Sequence, residues 1–322
     1  MTVTVPRVLV FSDEPEHYTK PLMARLPNLV LDVCVSYDEL PAKLEAFKPT
    51  VILGCKFEPK PWPRAALLNC PDLQWLSVTA AGVEHVAPWD DKALTVTNFS
   101  GIAATEMAHY VLAGIFVLHQ GFAHFFKKQQ TKHWDYRLVR SSRDVKIGLV
   151  GLGHTGEAIA RMARALGLSV VACRSSDTPS ALVDKVYGPD QLHDMLGTVD
   201  VTVVCAALTA ATQDMFNVAA FAAMNPGSYF INVARGKLVV EDALIAALYS
   251  GHLAGALIDV ARKEPLPASD PLWDTPNLLI TPHTCSDFIG WEAEAASLFA
   301  DNLERFIAGQ PLQNQVYSWR GY

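Results

Sequence analysis

Residues 145–174 read VKIGLVGLGHTGEAIARMARALGLSVVACR. The apolar run 147–150 enters a Gly-x-Gly-x-x-Gly turn at Gly151, Gly153 and Gly156; a helix-period stretch follows, and a second apolar run, 170–173, ends in Arg174. Between a strand-like and a helix-like segment, this glycine spacing predicts a dinucleotide-binding βαβ unit. Gly151 permits the tight turn, Gly153 a close approach of the backbone to a pyrophosphate, and Gly156 close packing of helix on strand. The helix N-terminus then turns N–H groups and a positive dipole end toward the anion. A site for NAD places Asp or Glu at the end of the second strand, against the ribose 2′-hydroxyl. Arg174 stands there instead, followed by Ser175 and Ser176, and a cation beside two hydroxyls suits a 2′-phosphate. The expected cofactor is NADP(H).

On both sides of this unit, short apolar runs alternate with helix-like spacers. Before it, strands are predicted at 7–11, 29–33, 50–53, 73–78 and 94–97; after it, at 199–205, 229–233, 255–260 and 278–281. Such alternation predicts α/β architecture: two doubly wound parallel-sheet (Rossmann/flavodoxin-like) domains with the active site in the cleft between them. A long helical pattern runs over about 102–126, with a wide apolar face (Met107, Val111, Gly114, Ile115, Leu118) that predicts burial. A last helical stretch covers 290–307. The expected division is 1–99 with 287–322 as a substrate-binding domain and 100–286 as a dinucleotide-binding domain, although the pattern alone leaves open where the last helix packs.

Composition narrows the class. The 322 residues are 50% apolar and 18% charged, with a net charge of −7, a balance suited to a soluble protein and not to a nucleic-acid or anionic-membrane surface. The six cysteines are scattered with no C-x-x-C, which suits reduced thiols in the cytoplasm. The N-terminus has no secretory pattern, and the apolar stretch 107–118 is too short to span a bilayer. His119, His124 and His133 are not spaced as metal ligands and H-E-x-x-H is absent, so no catalytic metal is expected.

Three polar residues follow apolar strands downstream of the glycine turn: Arg235 after INVA, Glu264 after the run that ends in Asp259 and Val260, and His283 after LITP. Taken singly, each reads as a loop residue. Together, at the carboxyl ends of strands where open α/β sheets bind ligands, they form a candidate catalytic constellation.

The pattern resembles the D-isomer-specific 2-hydroxyacid dehydrogenases, through VGLGHTG at 150–156, INVARG at 231–236, DVARKEPLP at 259–267, DPLWDTPNLLITPH at 270–283 and TAAGVEHV at 79–86. AHYVLAG at 108–114 and the closing Arg320-Gly321-Tyr322 are most similar to the glyoxylate/hydroxypyruvate reductase A branch. The resemblance implies NADPH-dependent reduction of small 2-keto acids, glyoxylate and hydroxypyruvate foremost, to D-2-hydroxy acids. It makes His283 the general acid/base, Glu264 the carboxylate that supports it, and Arg235 the residue that binds the substrate carboxylate. The backbone at Ala81, Gly82 and Val83 holds the carboxylate's other side, and Asp259 receives the nicotinamide carboxamide. His154, Thr155, Ala206, Thr212 and Val233 complete the cofactor surface, Thr209 lies in the loop that covers it, and Trp134 belongs to a region of dimer packing that can approach a partner's site. A homodimer is implied. The chain departs from the family at Ala207 (commonly Pro), His109 (often Glu) and Ala261 (commonly aromatic). Two other readings are a dehydrogenase for larger apolar 2-keto acids such as phenylpyruvate, and a dinucleotide-sensing, corepressor-like interaction protein.

Overall fold

The computed structural model describes residues 6–58, 60–139 and 141–320; of the closing residues, Gly321 and Tyr322 lie outside them. The chain forms two compact units, Met1–Ile102 with Phe288–Tyr322, and Ala103–Asp287.

The first unit begins β1 (Arg7–Phe11), α1 (Glu16–Arg25), β2 (Val30–Cys34), α2 (Leu40–Phe47), β3 (Val51–Gly54), α3 (Arg64–Leu68), β4 (Trp75–Val78) and β5 (Thr95–Thr97). These strands are parallel in the order β5-β4-β3-β1-β2. Successive side chains point to opposite faces of a strand, so Leu9, Phe11, Ile52 and Leu76 enter one core while Val8, Val10, Val51 and Trp75 enter another. A sheet covered on both faces needs such continuous apolar strands.

The second unit holds α4 (Ala104–His119), α5 (Phe122–Gln130), β6 (Lys146–Val150), α6 (His154–Ala165), β7 (Ser169–Cys173), β8 (Lys185–Tyr187), α7 (Leu192–Leu196), β9 (Val201–Val204), α8 (Val218–Ala223), β10 (Ser228–Asn232), α9 (Glu241–Tyr249), β11 (Leu253–Ile258) and β12 (Leu278–Ile280). Its seven strands are parallel in the order β12-β11-β10-β9-β6-β7-β8. The order reverses between β6 and β9, which puts the turn after β6 at the switch point where such sheets bind ligands.

The helix predicted over 102–126 is two helices. Gly121, at φ +72°, takes a left-handed conformation that no helix interior accommodates and separates α4 from α5. Strand β8 was not among the predicted strands; β1 falls where it was predicted, and the other predicted strands shift by one or two residues at their ends. The chain then adds α10 (Trp291–Ile307) to the first unit, where Ala295, Ala296, Phe299 and Leu303 join the core around Trp75. A last strand, β13 (Gln315–Val316), pairs antiparallel with β5. Among the described residues no helix is long and apolar enough to cross a membrane.

Candidate active site

The turn after β6 is shaped by backbone contacts that exclude side chains. Gly151 sits at φ +105°, and a Cβ there would lie 2.8 Å from the backbone of Cys205 and Ala206. A Cβ on Gly156 would lie 2.4 Å from the Gly151 carbonyl oxygen, so only glycine lets α6 start this close to β6. Gly153 differs. Its φ is −95°, and a Cβ would meet no atom within 4 Å, so nothing in the fold requires glycine there. The bare backbone opens the first turn of α6 to a ligand, and no side chain caps that end of the helix. Uncapped helix N–H groups beside a glycine that leaves room for close approach fit a dinucleotide diphosphate. His154, exposed, and Thr155, half-buried, lie in this first turn; the Thr155 hydroxyl donates to Met107 Sδ at 3.6 Å.

At the end of β7 the Arg174 guanidinium is anchored by the loop it precedes. Its Nε donates to the Ser176 carbonyl at 3.3 Å and its Nη2 to the Thr178 carbonyl at 2.8 Å. The Ser176 and Thr178 hydroxyls are 3.2 Å apart, and Ser175 and Ser176 are exposed. After β9, Ala206 is half-buried, and the Thr212 hydroxyl closes its loop by donating to the Ala207 carbonyl at 2.7 Å and accepting from the Thr209 N–H at 2.8 Å. Thus the loop closes on itself with alanine at 207. Val233 is buried in the core, with its N–H donating to the Val204 carbonyl at 3.2 Å.

Arg235, Glu264 and His283 are brought together at the carboxyl ends of β10, β11 and β12. The buried Asn232 side chain, at the end of β10, accepts from the Ala234 N–H at 3.0 Å and donates to the Arg235 carbonyl at 3.0 Å, which sets the bend that presents Arg235. The guanidinium Nη1 donates to the Ala234 carbonyl at 2.7 Å. Gly236 is pressed against the Ala261–Arg262 backbone, where its Cβ would fall 2.0 Å from the Ala261 carbonyl carbon; this draws the Arg235 turn to the loop carrying Glu264. Arg262 secures that loop further, pairing with Asp214 and donating to the Val239 carbonyl at 2.7 Å.

Glu264 uses one oxygen to accept from the Ala261 N–H at 2.9 Å and the other to meet His283 Nδ1 at 2.7 Å. An ionised carboxylate only accepts, so Nδ1 carries a hydrogen and Nε2 is the nitrogen that gains and loses a proton. The hydrogen bond to Glu264 raises the His283 pKa above the ordinary histidine value; burial and the Arg235 charge oppose this, and the Glu264 and Asp259 charges add to it. At Glu264, burial works against ionisation, yet the hydrogen bonds from His283 and the Ala261 N–H, with the His283 and Arg235 charges, hold its carboxyl below the usual range. The site therefore contains a protonatable imidazole, its counter-ion and a second cation within electrostatic reach. It can bind an anion and deliver a proton beside it.

Asp259, only 1% exposed, is engaged with its own chain. Its Oδ1 accepts from the Thr281 hydroxyl at 2.5 Å and the Thr284 N–H at 3.0 Å, and its Oδ2 from the Cys285 N–H at 3.0 Å. The Tyr110 hydroxyl in turn touches the Thr281 oxygen; sequence reasoning passed over these contacts, the Asn232 bend and the close approach at Gly236. The available signal was polar residues ending otherwise apolar strands. Ala81, Gly82 and Val83 lie in the first unit, after β4: Ala81 is exposed with its carbonyl accepting from Asn98 Nδ2 at 2.5 Å, and Val83 is buried in the core. Trp134 is 96% exposed. His109 pairs with Glu106 at 3.0 Å on the exposed side of α4. Among the described residues no cluster of three His, Cys, Asp or Glu side chains could hold a metal ion.

A fold with a glycine turn at the switch point and an Arg, Glu, His group at neighbouring strand ends defines a dinucleotide-dependent oxidoreductase. A family model described as D-isomer specific 2-hydroxyacid dehydrogenase, NAD binding domain, matches residues 112–285, inside the second unit. The chain belongs to the D-isomer specific 2-hydroxyacid dehydrogenase family. It is 30% identical over 264 residues to a putative 2-hydroxyacid dehydrogenase of Haemophilus influenzae, covering 76% of this chain and 81% of that one. It is 29% identical to the glyoxylate/hydroxypyruvate reductase A of Serratia proteamaculans, over 81% of this chain and 85% of that one. The crystal structure of a D-isomer specific 2-hydroxyacid dehydrogenase from Xanthobacter autotrophicus Py2, in complex with NADPH and MES, superposes with a TM-score of 0.85 at 32% identity, covering 98% of this chain and 100% of that one.

Proposed function

We propose that this enzyme reduces small 2-keto acids, glyoxylate and hydroxypyruvate foremost, to D-2-hydroxy acids with NADPH. The observation that carries the reading is the His283–Glu264 pair at 2.7 Å, beside Arg235 and on the same sheet as the glycine turn. When bound, the reduced nicotinamide supplies a hydride to the carbonyl carbon. The residues then have distinct tasks. Arg235 holds the substrate carboxylate in the two-point geometry that a planar guanidinium offers. His283 Nε2 gives its proton to the carbonyl oxygen as negative charge develops there, and Glu264 stabilises the imidazolium beforehand. To the backbone at Ala81, Gly82 and Val83 the proposal gives the amides for the carboxylate's other side. Asp259 receives the nicotinamide carboxamide. The first unit is the substrate-binding domain and the second the dinucleotide-binding domain.

Arg174, with Ser175 and Ser176, selects the 2′-phosphate, while the α6 N-terminus with Gly153, His154 and Thr155 takes the diphosphate; Ala206, Thr212 and Val233 line the rest. The NADPH bound to the Xanthobacter relative supports this choice, and the name of the Serratia relative supports the substrates. We further propose a cytoplasmic homodimer joined through residues 122–139, where Phe122, Phe126, Trp134, Tyr136 and Leu138 are exposed; sedimentation of the wild type against Trp134→Ala tests that contact. The main test is steady-state reduction of glyoxylate, hydroxypyruvate, pyruvate and phenylpyruvate with each cofactor. The reading predicts the first two as the better substrates and NADPH as the better cofactor. Turnover confined to phenylpyruvate would contradict the substrate assignment, and equal efficiency with NADH would contradict the cofactor assignment.

A further inference from the structure

His283 stands at φ +55°, a left-handed conformation that residues with a Cβ avoid. Its own N–H donates to the Asp259 carbonyl at 2.7 Å and the Thr281 carbonyl at 3.1 Å. The next two residues donate their N–H groups to the Asp259 carboxylate. The whole turn from Thr281 to Cys285 is thus folded around one buried acid.

That acid is tied to α4. The Thr281 hydroxyl has a single hydrogen, and the Asp259 carboxylate only accepts, so the hydrogen of Thr281 goes to Asp259 Oδ1. The Tyr110 hydroxyl also touches the Thr281 oxygen and must therefore be the donor in that contact. Burial, with the Asp259 charge and against the hydrogen bond with Thr281, pushes the Tyr110 phenol up to about 12, so it keeps its hydrogen throughout the neutral range. The result is a directed chain from Tyr110 through Thr281 to Asp259. Its fixed end is α4, whose Ala108, Val111 and Ile115 belong to the core of the second unit.

We propose that Tyr110 and Thr281 are positioning residues for His283: acting through Asp259, they hold the turn in the left-handed form from which Nδ1 reaches Glu264. Neither side chain takes part in proton or hydride transfer. This inference rests on the reading of His283 as the acid.

The test uses the full chain with Tyr110→Phe, Thr281→Val, Thr281→Ser and the Phe/Val double variant. Two readouts are followed: kcat and KM with NADPH and hydroxypyruvate, and the His283 ring titration by NMR on the cofactor-free protein. Tyr110→Phe is expected to lower kcat about tenfold, the scale for a slightly misplaced catalytic group, with KM for NADPH little changed. Thr281→Val should cost at least as much, the double variant no more than Thr281→Val alone, and Thr281→Ser should restore the wild-type values. In the Phe and Val variants the His283 titration should fall toward the ordinary histidine value as its contact with Glu264 loosens, although the charged groups facing the ring (Glu264, Arg235 and Asp259) are unchanged. Additive losses, or a His283 titration that stays in place, would overturn the inference. The titration needs no turnover, so it separates this failure from failure of the proposed function, which would show as a near-normal rate in His283→Ala.

Discussion

The sheet of the second unit has two working ends on one edge, and they are built on opposite plans. After β6 and β7 the site is continuous in sequence: Gly151 to Arg174 supplies the turn, the helix terminus and the cation, and backbone does most of the work. After β10, β11 and β12 the site is assembled from Arg235, Glu264 and His283 by side-chain bridges, with Asn232 bending one strand end and Asp259 gathering another. One end is shaped for binding by what glycine omits. The other is assembled by hydrogen bonds whose buried members, Asn232 and Asp259, tolerate partial loss poorly.

Substitutions separate the two ends. The largest effect belongs to the second: His283→Ala should reduce the rate by ~2 to 4 orders of magnitude, measured as kcat for hydroxypyruvate reduction, with NADPH binding retained. At the first end, Arg174→Ala should lower the NADPH-over-NADH preference by about tenfold to a hundredfold, the worth of a hydrogen bond to a charged group, while kcat at saturating cofactor holds; an unchanged preference removes Arg174 from cofactor choice. Smaller still is the contrast between two glycines in one turn. Gly156→Ala drives a methyl toward the Gly151 carbonyl and should destabilise the fold by ~1–3 kcal/mol. Gly153→Ala should leave the melting temperature in place and weaken cofactor binding. If Gly153→Ala binds NADPH normally by calorimetry, the diphosphate does not lie against that backbone.

The same contrast explains what could be read from the chain. Apolar runs with intervening helix-period spacers disclosed both sheets, because parallel strands buried on two faces are apolar along their length. The glycine turn was legible because its constraints are local. Arg235, Glu264 and His283 were found by their place after strands, but what orients them was not visible: Thr281 meets Asp259 across 22 residues and Tyr110 meets Thr281 across 171, and no spacing rule reaches that far. The break at Gly121 was missed because the apolar pattern continues on both sides while one residue turns left-handed. Strand β13 is two residues long, too short for a period to register.

The central claim is that Glu264 keeps His283 protonated for delivery to a keto oxygen. A raised His283 pKa means that the pairing stabilises the folded state below the unfolded histidine value and is lost as pH rises through the folded one. The lowered Glu264 pKa means that its share is present above the unfolded carboxylate value and is lost as pH falls through the folded one. Between these limits the acid is charged and paired. The direct measurement is the pH dependence of kcat/KM for hydroxypyruvate reduction in the wild type and in Glu264→Gln. The account predicts a basic limb above the ordinary histidine value in the wild type, moving to lower pH in the variant. An identical limb in both proteins would contradict it.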